Sequence, residues 1–297
     1  MKQILNLEVV GLPNLELLDA IVFSPHFFYT QDKVDNVHNF EQIVTEVYKA
    51  GQMARSQQRE VVRSYKEDGS VLTEVDLAIE KQLTTVIREE FPDANIVSEE
   101  FPSEFRSGRD FTFTIDPIDG TDTFSQGMPG WCVAVGILDA ELEPIGGIIS
   151  APRWGSDPDY GVFLRLLPGN ELKIDGMPIT SDAEKDVPGT QLMVGSKVHR
   201  KYDLSPFPGK VRSIGSSILH IISPLIHPVV LGALIPPAYI WDIAAAHSII
   251  QSRSYTLEYV NGNPVQYATM VHRQTAEHHM LCGTRGSIAN IKKHISL

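Results

Sequence analysis

The sequence predicts a mixed protein in two halves, an α+β half followed by an α/β half, and two observations predict it. Between about Asn39 and residue 185, two stretches of helical period precede a succession of strand-like runs; beyond about 185, strands and helices interleave. At 297 residues the chain is long enough for one large core or two packed subdomains. The boundaries expected are an N-terminal extension over 1–37, an α+β subdomain over 38–185 and an α/β subdomain over 186–297.

Residues 1–35 mix short apolar runs with Pro13, Pro25 and "SPHFFYTQD" and sustain no period, so they read as an extension packed on or beside the main fold. From about Asn39, Phe40, Val44, Val47, Tyr48 and Gly51 recur at helical spacing, and Ile79, Leu83, Val86 and Ile87 mark a second helix. "KEDGS" between them is a turn. Strands are expected at "FTFTI" (111–115), "WCVAVGIL" (131–138), "IGGIIS" (145–150) and "GVFLRL" (161–166), with a hairpin turn at "DGMPI". In the second half, "QLMVGS", "KVRSIG", "SSILHIISPLI", "PVVLGAL", "WDIAAAHSIIQS", "YTLEYV", "HMLCGT" and "GSIANIKKHI" supply the interleaved strands and helices.

Composition narrows the function. A net charge of −12 with no basic run argues against a nucleic-acid polymer or an anionic membrane as partner. No window approaches the ~20 apolar residues of a membrane span. Lys2 is followed by Glu8, Glu16 and Asp19, which spoils a secretory signal, so a cytoplasmic protein is expected. Cys132 and Cys282, far apart in apolar runs, read as small buried thiols, which suits a reducing compartment.

The chemistry concentrates in "TIDPIDGTDTF" (114–124). Pro117 restricts its own φ and that of Asp116, so the strand is expected to end there in a fixed turn that lets Asp116 and Asp119 converge. Paired carboxylates that are to stay ionised need a cation between them, and Mg²⁺ prefers such oxygen ligands. If a helix starts at "TDTF", the amides of Gly120 and Thr121 offer an anion site beside the cation. The alternative is a plain turn in which Asp119 or Thr121 caps a helix. Elsewhere, Thr73 and Asp76 fit a capping box, Glu99 and Glu100 end a strand-like run, and Asp242 opens a helix of small residues, where it could serve as the N-cap.

The ordered set K-x-D-G-S-x-x-T-x-x-D (66–76), S-E-E (98–100), D-P-I-D-G-T (116–121) and W-D-x-A-A (241–245) resembles the inositol monophosphatase-like superfamily. Its members are metal-dependent, lithium-sensitive phosphatases: inositol monophosphatases, fructose-1,6-bisphosphatases, histidinol-phosphate phosphatases and 3′(2′),5′-bisphosphate nucleotidases. The resemblance extends from about residue 38 to the end. It implies a layered αβαβα sandwich with a mostly antiparallel N-terminal sheet and a mixed C-terminal sheet, the first subdomain carrying most metal ligands and the second closing the site. By the same resemblance, Glu99, Asp116 and the carbonyl of Ile118 bind one Mg²⁺, Asp116, Asp119 and Asp242 bind a second, and Glu99 with waters binds a weaker third. Thr121 pairs with Asp76 to position and deprotonate the attacking water, and the amides of Gly120 and Thr121 hold the phosphate. Glu100 and Lys66 support the ligands from behind, with a surface position the other reading of Lys66. Homodimers are usual in the superfamily.

These roles agree with the chemistry: paired metals lower the pKa of a water and stabilise a leaving alkoxide, so no covalent phosphoenzyme is needed. The expected function is hydrolysis of a small phosphorylated metabolite, an inositol phosphate, sugar phosphate or nucleotide phosphate. A bisphosphate nucleotidase or histidinol-phosphate phosphatase is the alternative within the family, and a catalytically silent metal- and phosphate-binding regulator the alternative outside it. Ile235 stands where inositol-specific relatives carry an acidic residue, which puts inositol 1-phosphate in doubt. Gly215, Ser216 and Ser217 are candidate substrate contacts, and Arg253 could meet a second phosphate or lie on the surface. Trp241 reads as a packing anchor, and His278 and His279, adjacent on a strand, point to opposite faces and are not expected to ligate metal together.

Overall fold

The computed structural model describes residues 31–155, 157, 159, 161–179 and 190–296, with side chains described from residue 39. The expected extension therefore lies outside the described residues up to residue 30. Helix α1 (Gln31–Gln57) begins ahead of the expected start near Asn39. The "KEDGS" turn closes a small hairpin of β1 (Ser64–Tyr65) and β2 (Val71–Leu72), and α2 (Glu74–Glu90) follows behind a Thr73–Asp76 capping box.

Next come β3 (Asn95–Ser98), β4 (Thr112–Asp119), a short α3 (Thr121–Ser125), β5 (Cys132–Leu138), β6 (Pro144–Ala151), β7 (Val162–Leu166), β8 (Lys173–Ile174) and β9 (Met177–Pro178). These strands form one sheet in sequence order, parallel at β3/β4 and antiparallel elsewhere. "DGMPI" is the β8–β9 hairpin turn, with Asp175 and Gly176 both at positive φ. A second sheet contains β10 (Gln191–Val194), β11 (Lys210–Arg212), β12 (Val230–Ile235), β13 (Thr256–Tyr259) and β14 (Met280–Gly283) in the order β11-β10-β12-β14-β13. It is parallel from β11 to β12 and antiparallel from β12 to β13, hence mixed. Helix α4 (Ser217–Ile226), α5 (Ala244–Gln251) and α6 (Arg285–Lys293), with short 3-10 turns at Val198–Arg200 and Met270–His272, complete the described elements.

Packing yields five layers. Helices α1 and α2 cover one face of the first sheet, α4 and α5 lie between the two sheets, and α6 covers the far face of the second. Three apolar cores fill the spaces between the layers, built from Ile43, Ile79 and Phe113 on the first side, Ile221, Ile243 and Ile249 on both faces of the middle helical layer, and Leu192, Leu234 and Ile288 at the far side. Hydrophobic burial on this scale is the main stabilising term. The central contact is unusually close because small residues meet: a Cβ on Gly147 of β6 would lie 2.3 Å from the carbonyl of Ala245 in α5. That approach brings the turn before α5, which carries Asp242, against the sheet that carries Asp116. Cys132 and Cys282 are free and buried. Among the described residues, no helix is long and apolar enough to cross a membrane.

Candidate active site

Strand β4 does not end before Asp116, as the proline suggested; it continues through Asp119 with an irregularity. Asp116 pairs with Ala134 and Asp119 with Cys132, so three steps along β4 oppose two along β5. Pro117, which has no N–H to give a ladder, sits in this bulge. In a regular strand, residues three apart point to opposite faces; one extra residue restores them to the same face. One carboxylate oxygen each from Asp116, Asp119 and Asp242 consequently lie within 4.8 Å of one another.

Each member is held differently. Asp119 sits at the start of α4, accepting from the hydroxyl of Ser216 and from the amides of Ile218 at 2.6 Å and Ser217 at 3.3 Å. Burial still pushes its pKa up to about 6 against these bonds. Asp242 accepts the amide of Tyr239 at 2.7 Å in the turn before α5. It is not the N-cap of that helix, a position taken by Ile243. Asp116 is buried with neither carboxylate oxygen hydrogen-bonded, and burial, then Glu99, Asp119 and Asp242, drive its pKa well above the aspartate range.

A second group borders this cluster. Asp76, fully buried, accepts from the amide and hydroxyl of Thr73 through Oδ2 while Oδ1 meets the hydroxyl of Thr121 at 3.3 Å. The same hydroxyl lies 2.9 Å from the carbonyl of Ile118. The capping box and the pairing with Thr121 thus coexist, one on each oxygen. Burial first, then Glu99, raises the Asp76 pKa to about 6, with the Thr73 bonds opposing. Lys66 reaches Glu99 at 2.9 Å and Glu100 at 2.8 Å, so it lies between the pair rather than on the open surface. Burial works against the Lys66 charge, yet the two glutamates outweigh it and raise its pKa. Glu100 is pushed up to about 7 by burial and by Glu99, with Lys66 opposing.

Sequence reasoning missed two residues here. Glu80 is fully buried and accepts from the Ser98 hydroxyl and from the amides of Glu100 and Phe101, fixing the turn that presents Glu99. Its position four after Asp76 on α2 puts both acids on one helix face, a signal legible in the sequence. Arg273 donates to the carbonyls of Ser98 and Glu99 and lies over the Trp241 ring, which is buried as a packing anchor. No local pattern announces it.

The remaining candidates fall as follows. Gly120, at φ 95°, precedes α3, and a Cβ there would lie 2.7 Å from the carbonyl of Gly130. Gly215 packs on Thr123, where a Cβ would meet the threonine methyl at 2.2 Å. Ser216 is fully buried with its hydroxyl committed to Asp119, and Ser217 is half-buried. Ile235 is fully buried in the central core. Arg253 follows the C-terminus of α5, about 12 Å along the helix from the Asp242 end. His279 packs on Tyr202 and His278 on Tyr259, apart from the carboxylates.

A buried carboxylate without a single hydrogen bond, facing two more, is stable as an anion only with a cation among them, so the donor set fits a hard divalent metal. The family model described as the inositol monophosphatase family matches residues 33–290. The chain is 28% identical over 130 residues to the Nus factor SuhB of Pasteurella multocida, covering 44% of this chain and 46% of that protein. It is 29% identical over 127 residues to a histidinol-phosphatase of Streptomyces coelicolor, 40% of this chain and 47% of that one. These matches span about half the length of each relative. The structure of an inositol monophosphatase from Anabaena (Nostoc) sp. PCC 7120 superposes with a TM-score of 0.68 at 19% identity, covering 87% of this chain and 96% of that one. Since the family model spans both sheets and every carboxylate of the cluster, the chain belongs to the inositol monophosphatase family.

Proposed function

We propose that the protein is a Mg²⁺-dependent phosphatase of a small phosphate monoester. The observation that carries this reading is the buried, unbonded carboxylate of Asp116 beside Asp119 and Asp242. Glu99, Asp116 and the Ile118 carbonyl would hold one ion, Asp116, Asp119 and Asp242 a second, and Glu99 with waters a third. Bound there, the ions would supply positive charge that lowers the pKa of a water and neutralises the phosphoryl and leaving oxygens.

The chain's own groups account for the rest. Thr121 is tied to Asp76 and to the Ile118 carbonyl, so its hydroxyl has a fixed direction in which to orient a water. Asp76, whose Oδ1 faces the Thr121 hydroxyl, would accept a proton relayed through that hydroxyl. The amides of Gly120 and Thr121 would hold the phosphate oxygens. Water then attacks phosphorus in line with the departing alkoxide, with no residue phosphorylated. The complete set of Asp76, Glu99, Asp116, Asp119, Thr121 and Asp242 weighs against a catalytically silent relative.

Phosphate release from inositol 1-phosphate, fructose 1,6-bisphosphate, histidinol phosphate and 3′-phosphoadenosine 5′-phosphate, with Mg²⁺, with EDTA and with added Li⁺, tests the reading. Magnesium-dependent, lithium-inhibited release from one ester is expected. No release from any ester by protein that binds Mg²⁺ would favour the silent binding protein.

A further inference from the structure

A pocket of about 490 Å³ beside the C-terminal part of α1 is lined by Gln52, Arg55, Ser56, Gln58, Arg59 and Arg153. Three arginines line the pocket in a chain of net charge −12, with no Asp or Glu among its described lining residues; Arg55 is engaged, donating to the Pro152 carbonyl at 3.3 Å, and Arg59 and Arg153 supply the charge considered below. Like charges gathered in this way repel, and an anion among them turns that repulsion into attraction. Arg59 is exposed and makes no hydrogen bond or ion pair with any described residue. Arg153 donates through Nη1 to Gln58 Oε1 and to the Gly127 carbonyl, and pairs with no described carboxylate.

We propose that this pocket is a second anion site, separate from the carboxylate cage, that binds a phosphate group, free or carried by a small metabolite. Guanidinium forks match phosphate oxygens in bidentate geometry. The volume falls in the ~300–1,000 Å³ range of small-molecule pockets, so it admits more than the phosphate itself. Two of its lining residues also bond to the end of α3 and the segment that follows it. Gln58 donates to the carbonyls of Phe124 at 2.9 Å and Met128 at 2.8 Å, and Arg153 holds Gly127. Both residues thus anchor the loop that leaves α3, whose opposite end carries Gly120 and Thr121. An anion that draws Arg153 into the pocket acts on that loop.

The test is calorimetric titration of the full chain in EDTA, at constant ionic strength, with inorganic phosphate and with ribose 5-phosphate. Without divalent cations the carboxylate cage repels phosphate and nothing is hydrolysed, so the result does not depend on the phosphatase reading. Saturable phosphate binding is expected, weakened about tenfold by Arg59→Gln, an exposed substitution that should leave the circular dichroism unchanged. Ribose 5-phosphate binding with the same Arg59 dependence identifies a metabolite site; binding of inorganic phosphate alone identifies a free-phosphate site. Absence of saturable phosphate binding, or equal binding by wild type and Arg59→Gln, would overturn the proposal.

Discussion

The Asp116 side chain sets its charge against the fold. Its charge is buried, unbonded and beside other carboxylates, so in the absence of a cation it destabilises the protein. Asp116→Asn should therefore raise thermal stability in EDTA at pH 8, by about 1–3 kcal/mol, and lose the stabilisation by Mg²⁺ that the proposed cage predicts for the wild type. Thermal melts with and without Mg²⁺ check both halves. If the hydroxyl orients water rather than binding the ester, as proposed, Thr121→Ala should lower kcat by about 10²-fold with KM little changed, and Thr121→Ser should retain most of the rate. Steady-state kinetics on whichever ester is hydrolysed would show it. Glu80 is structural in a different sense: it satisfies a hydroxyl and two amides at the turn that carries Glu99. Glu80→Ala should cost about 2–4 kcal/mol by denaturant unfolding, since buried donors lose their acceptor. Of these residues, Asp116 and Thr121 are legible in the sequence because they stand within one short motif. Glu80 was available from its i,i+4 relation to Asp76. Arg273 was not, because it meets Glu99 across 174 residues of chain and only the tertiary fold joins them.

At the scale of elements, α4 and β4 form the site's working joint. The N-terminus of α4 receives the Asp119 carboxylate, and Ser216 serves at once as N-cap, bonding Leu219, and as donor to Asp119. Ser216→Ala should reduce stability by about 1 kcal/mol, the usual value of an N-cap, and move the Mg²⁺ dependence of activity to higher concentration. Calorimetric stability and a Mg²⁺ titration of rate would measure the two effects separately. Helices and strands were legible from their periods, down to the β8–β9 hairpin announced by "DGMPI". The conformation of D-P-I-D was not. Proline and the loss of apolar residues suggest a strand end, whereas pairing with β5 keeps the segment in the sheet and places the extra residue in a bulge. Register belongs to two strands together, and the local sequence of one does not contain it. The start of α1 at Gln31 was likewise missed, since "QDKVDNVH" has no apolar stripe to mark it.

Across the whole molecule, two sheets and the paired helices between them gather carboxylates from β4, α2, the end of β3 and the turn before α5 into one acidic site. Linkage then ties the stability of the fold to pH and to metal. Asp76 and Asp119 titrate above their ordinary 3.8, at about 6, and Glu100 above 4.5, at about 7. At these carboxyls, and at Asp116 and Asp242, whose values are raised further, the native chain holds more protons than the unfolded chain in this window; the buried His220 and His247, lowered to about 4, oppose this but are outnumbered. Stability of the metal-free protein should accordingly fall as pH rises from about 4 to 7. Mg²⁺ binding must displace those protons, so it should tighten over the same range. Melts at pH 5 and pH 8 in EDTA and in Mg²⁺ would test this: the metal-free protein should be the more stable at pH 5, and Mg²⁺ should raise the Tm more at pH 8. The most direct test of the central claim, that Asp116 is the shared ligand of a magnesium cage, is calorimetric titration of Mg²⁺ into wild type and Asp116→Asn at pH 8. Saturable binding by the wild type, weakened at least about 100-fold in the variant, is the result predicted. Equal Mg²⁺ affinity in the two proteins would contradict it.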